Sequence, residues 1–87
     1  MDLEQVKSYL RVDGEDEDVL ISAFLTAAEE YLAGAGVKQT QGKLYEVVVS
    51  MLVALFYEHR DTASDKITIP PVINNLITQL ATRSGSS

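Results

Sequence analysis

The stretch Lys43-Leu44-Tyr45-Glu46-Val47-Val48-Val49-Ser50-Met51-Leu52-Val53-Ala54-Leu55-Phe56-Tyr57-Glu58-His59-Arg60 decides the fold. Tyr45, Val48, Val49, Leu52, Leu55 and Phe56 recur at spacings of three and four, which is one face of a helix. Val47, Met51, Val53 and Ala54 cover most of the remaining circumference. A helix apolar nearly all round is buried on nearly all sides. Its longest apolar run, Val47 to Tyr57, is 11 residues and contains Ser50, well short of the ~20 that a membrane span needs. The run is therefore a core helix, and the rest of the chain must supply its cover.

Upstream, Leu20, Ala23, Phe24, Ala27, Ala28, Tyr31 and Leu32 predict a helix from about Asp16 to Ala33 with that stripe facing the core. Val19, Ile21 and Leu25 lie off the stripe, so this helix too is apolar over more than half its circumference. Its acidic first turn, Asp16, Glu17 and Asp18, suits the positive end of a helix dipole. Gly34 is the expected left-handed stop. A shorter helix, about Leu3 to Leu10, carries Leu3, Val6 and Leu10 on one face. Asp2 and Gln5 form a capping-box pattern at its start. Arg11 to Gly14 then make a turn. Downstream, Asp61 to Thr68 is a polar loop, and Pro71 fits the first turn of a fourth helix. Val72, Ile73, Leu76, Ile77 and Leu80 are its expected face. No strand pattern occurs. The expected fold is all-α, one small four-helix domain over residues 1–83, with 84–87 a flexible polar tail.

Three other helices can hardly cover the helix over Lys43 to Arg60 on all its sides in a chain of 87 residues, 46% of them apolar. A chain of this size buries only about 60–65% of its unfolded surface. The apolar surplus therefore implies self-association. Charge is as uneven as hydropathy. The net is −6; residues 1–18 hold seven acids against two bases, and the remainder six against five. Without a basic footprint, sequence-specific binding of DNA or RNA is disfavoured, and so is attraction to an anionic membrane. No basic start followed by an apolar run marks a signal peptide. The expectation is a soluble, intracellular protein.

Chemistry is sparse. There is no Cys and one His, which removes disulfides, thiolate metal sites and His-rich clusters. In Asp13-Gly14-Glu15-Asp16-Glu17-Asp18 the acids alternate as in a calcium loop. An EF-hand counted from Asp13 needs Gly at position 6 and Glu at 12, where this chain has Asp18 and Phe24. These acids read as a solvated helix start, or as a docking surface for a basic partner. His59, near a helix C-terminus, has no nucleophile or orienting acid marked for it, so an enzyme is disfavoured and no cofactor or metal is expected. Tyr9, Tyr31, Tyr45 and Tyr57 sit on stripes or their edges, with hydroxyls expected to reach solvent.

Three stretches, in order, resemble the small head–tail connector (adaptor) proteins of tailed bacteriophages and prophages, also called DNA-packaging proteins. They are Val6-Lys7-Ser8-Tyr9-Leu10-Arg11-Val12-Asp13 with the acids and Leu20 to Leu32 after it; Val49 to Asp61 with Tyr57-Glu58-His59-Arg60; and Ile69-Pro70 leading to Leu76 and Leu80. Together they cover about three quarters of the chain. The loop from Gly34 to Gly42 is short for this family, and Ala81-Thr82-Arg83 stands where members carry an aromatic–Arg pair. The resemblance implies a non-enzymatic structural protein of the virion, made in the bacterial host cytoplasm. It implies a homo-oligomeric ring, usually twelve-fold, under the portal, which extends the DNA channel and docks stopper or tail-completion proteins. DNA would pass through without being bound by sequence. Candidate interface residues are Arg11, Asp13, Glu15, Asp16, Arg60, Asp61 and Arg83. From the residues alone, an alternative stays open: a small acidic helical protein-binding module or regulator acting as a dimer.

Overall fold

A computed structural model describes residues 2–38, 42–59 and 69–85. They form four helices, α1 (Leu3–Leu10), α2 (Asp18–Gly34), α3 (Lys43–Glu58) and α4 (Pro71–Gly85), with no strand among the described residues. α1 starts where the sequence places it. The Gln5 N–H donates to Asp2 Oδ1 at 2.9 Å, and the Asp2 N–H donates to Gln5 Oε1 at 3.0 Å. The two side chains thus satisfy donors that a helix start leaves unpaired. α4 begins at Pro71, and the Pro70 carbonyl accepts from Ile73 and Asn74. It runs two residues past the expected boundary at 83.

α3 is the central helix. It packs against each of the other three, and α1 also packs on α2. The core consists of Val6, Ile21, Leu25, Ala28, Leu32, Val37, Tyr45, Val48, Val49, Leu52, Val53, Ile73, Ile77 and Leu80. Phe24 meets Phe56 with ring centroids 6.0 Å apart and planes tilted by 54°. Ser50 is also buried, with its hydroxyl donating to the Glu46 carbonyl at 2.9 Å.

The facing of α2 differs from the expected one. Ile21 and Leu25, off the expected stripe, are buried with Ala28 and Leu32. Leu20, Ala23, Ala27 and Tyr31, on that stripe, are exposed. Two apolar stripes share this helix, and burial scales with the apolar area removed from water. The stripe with Ile21 and Leu25 removes more area than one centred on two alanines. Val72 of α4 likewise points out, 58% exposed, while Ile73, Ile77 and Leu80 face α3.

The stop of α2 also moves. Gly34 is helical, and Gly36 takes the left-handed conformation at φ 94°. The Val37 N–H then reaches back to the Leu32 carbonyl at 3.0 Å, and the Gly36 N–H to that of Ala33 at 3.2 Å. This two-bond closure carries an apolar contact between the residues at its ends; here these are Val37 and Leu32, both core residues.

Candidate functional site

The end of α1 and the start of α2 build an acidic corner. Arg11 closes α1 in the left-handed conformation, φ 60° and ψ 41°. Its N–H donates to the Ser8 carbonyl, and the Val12 N–H donates to that of Lys7 at 3.0 Å. Lys7 lies beside Val6 on the buried side of α1. Its Nζ donates to the Gly14 carbonyl at 2.6 Å and pairs with Asp18 Oδ1 at 2.7 Å. That oxygen is sealed from solvent. The hydrogen bond to Asp18 raises the Lys7 pKa above its ordinary value; burial opposes the rise, and the charges of Asp18, Glu4 and Glu15 add to it.

α2 begins at Asp18 rather than Asp16 for a related reason. The Glu17 carboxylate makes no capping bond and instead accepts from the Tyr57 hydroxyl at 2.5 Å. Two of the six residues from Asp13 to Asp18 are therefore structural anions. Asp13, Glu15 and Asp16 remain exposed.

Arg11, Asp13, Glu15 and Asp16 are thus brought together at one corner. Arg83 is exposed on the last turn of α4. Arg60 and Asp61 lie outside the described residues. Lys7 and Tyr57 were missed by sequence reasoning. A lone lysine among seven acids was the available signal for Lys7; Tyr57 gave none, because its partner is forty residues away. Tyr45 departs from expectation. It is a core residue, 3% exposed, and burial followed by the Glu29 charge raises its pKa.

Two apolar surfaces remain uncovered. The first is the outer ridge of α2, with Val19 86% exposed, Tyr31 43% and Leu20 36%. The second is a groove along α3 between α1 and α4. At its α1 end a concavity of about 520 Å³ includes Tyr9, Lys43, Glu46 and Val47. Past Tyr9 it continues as one of about 210 Å³, with Met51, Ala54 and Leu55 beside Pro70 and Ile73.

Among the described residues no group of three or more acids and histidines is placed to hold a metal ion, and no helix is long and apolar enough to cross a membrane. No curated protein and no solved structure matches the chain. A family match does exist, to "Phage gp6-like head-tail connector protein", and it spans residues 1–84. Since that match takes in all four helices but the final residue of α4, the chain belongs to the phage gp6-like head–tail connector family, a structural family of the junction between phage head and tail.

Proposed function

We propose that this connector works as one subunit of a homo-oligomeric ring, twelve-fold in the virion, seated beneath the portal of a filled capsid. The ring extends the DNA channel and gives stopper or tail-completion proteins a platform. The subunit is made in the host cytoplasm and enters the particle during assembly. The family match over residues 1–84 carries this reading, and the two uncovered apolar surfaces support it. Head-to-tail contacts close a ring when the rotation between subunits closes, and each subunit then hides two different faces. The charge fits as well: a channel that lets DNA slide must not hold it, and a chain of net charge −6 repels phosphate. In this reading Asp13, Glu15 and Asp16 face the channel or a basic partner. Arg83 and the residues after it meet the portal, and Arg11, Arg60 and Asp61 contribute polar pairs between subunits.

Negative-stain imaging of the purified protein, alone and with portal, tests the proposal. Rings on the portal are the expected result. A strict dimer that never associates with portal overturns it in favour of the dimeric binding module.

A further inference from the structure

We infer that the two uncovered surfaces are halves of one contact: the outer ridge of α2 on one subunit lies in the α1–α3–α4 groove of the next, antiparallel to α3. This inference rests on the ring reading and names the faces that would make the ring. Three observations carry it.

The lengths match. Leu20 to Glu30 spans ~15 Å of helix and Lys43 to Ala54 ~16 Å, at about 1.5 Å per residue. The sizes interlock in one antiparallel register. Leu20 falls opposite Ala54, Ala23 opposite Met51, and Ala27 opposite Val47, so each large side chain meets a small one. Packing large against small across facing positions is what lets two helices approach closely. One charge pair falls at the α3 N-terminal end, where Lys43 is the base among Asp2, Glu4 and Glu46 along the groove. In that register Glu30 reaches Lys43, and the Tyr31 ring lies against the lysine stem. Both ions are solvent-facing on their helices, and neither forms an ion pair among the described residues. Sliding the register by one turn separates Glu30 from Lys43.

The two faces cannot satisfy each other within one molecule. On α2 the ridge lies opposite the buried Ile21, Leu25, Ala28 and Leu32; on α3 the groove floor lies opposite the buried Tyr45, Val49 and Leu52. Ridge and groove therefore point away from each other. A contact between unlike faces also leaves a free ridge and a free groove at the ends of any open chain, so addition continues, and a ring results when the rotation between subunits closes. At the far end of the register Asp16 comes near Glu58. With two net-negative chains meeting, screening by salt favours the contact.

The absence of Cys from the chain makes the test direct. A disulfide needs Cα atoms within about 7 Å. In the doubly substituted A27C/V47C protein, oxidation is expected to produce a ladder of cross-linked multimers, more strongly at high salt. The A27C/A54C protein, displaced by seven residues along α3, is expected to produce none. Ala23→Arg should abolish multimers while leaving the helical circular dichroism and melting temperature of the monomer unchanged. Failure of A27C/V47C to form a ladder overturns the inference. So does rapid dimer formation by A27C alone, which indicates α2 meeting α2. If portal-bound rings form and no ladder appears within them, the face assignment fails and the ring stands. If neither forms, both fail.

Discussion

Two corners of this molecule solve the same backbone problem with different residues. α1 and α2 each end with one left-handed residue, one bond reaching back three residues and one reaching back five. At the α2 corner the left-handed residue is Gly36, and the five-residue bond joins the buried Val37 and Leu32. At the α1 corner it is Arg11, the only non-glycine residue with positive φ among the described residues. There the bond runs from Val12 to Lys7, whose ammonium is committed to Gly14 and Asp18. One corner is apolar and relaxed. The other is ionic and keeps a side chain where glycine would be easier, at a cost of roughly 1–2 kcal/mol. Arg11 stands next to the exposed Asp13, Glu15 and Asp16, the residues proposed above to meet a neighbouring subunit, the channel or a basic partner.

The relaxed corner breaks with the largest effect. Leu32→Ala removes the fully buried side chain on which Val37 closes, and it is expected to destabilise the monomer by about 2–5 kcal/mol in urea unfolding. A smaller loss follows from Gly36→Ala. A Cβ there meets only the Ala81 Cβ, at the ordinary distance of 3.9 Å, so the cost is the backbone's alone, about 1–2 kcal/mol. A change smaller than the error of the unfolding measurement would show that Gly36 is not held at positive φ.

The opposite sign is expected at the strained corner. Arg11→Gly relieves the left-handed penalty and loses part of the gain to the freer unfolded chain, for a net stabilisation of about 0.5–1 kcal/mol. If Arg11 also contributes to subunit contacts, the same variant assembles less well on portal while its monomer melts higher. Stability and assembly moving in opposite directions would separate the two roles.

The difference between the corners also explains what the sequence could reveal. α1 and the start of α4 were legible because Asp2, Gln5 and Pro71 act within one turn of themselves. α3 was legible because its apolar run permits no other reading. The facing of α2 was not, since two stripes of similar hydropathy share the helix and only the volume of Ile21 and Leu25 against the core decides between them. The stop at Gly34 was not borne out, because Val37 reaches the core only when the left-handed turn falls at Gly36. At the acidic corner the exposure of Asp13, Glu15 and Asp16 followed from local pattern. The roles of Glu17 and Asp18 did not, because their partners, Tyr57 and Lys7, are distant in sequence.

Alkaline pH should act on both sides of the comparison through two groups. Lys7 at the ionic corner and Tyr45 in the core each have a pKa raised above the ordinary values of 10.5 and 10.0. For each, the folded state holds its proton at a pH where the unfolded state has released it. Stability is therefore full below the ordinary value and falls as pH rises through the raised one. The melting temperature is expected to be flat from neutral pH to about 9.5 and to decline above 10. Tyr45→Phe should flatten that decline in part, because the phenol is then absent from both states. Lys7→Met should flatten it too, but from a lower starting point, since Asp18 is left sealed without its cation. If neither substitution alters the slope above pH 10, the decline belongs to general charge repulsion in an acidic chain, and the Lys7–Asp18 pair does not anchor the corner.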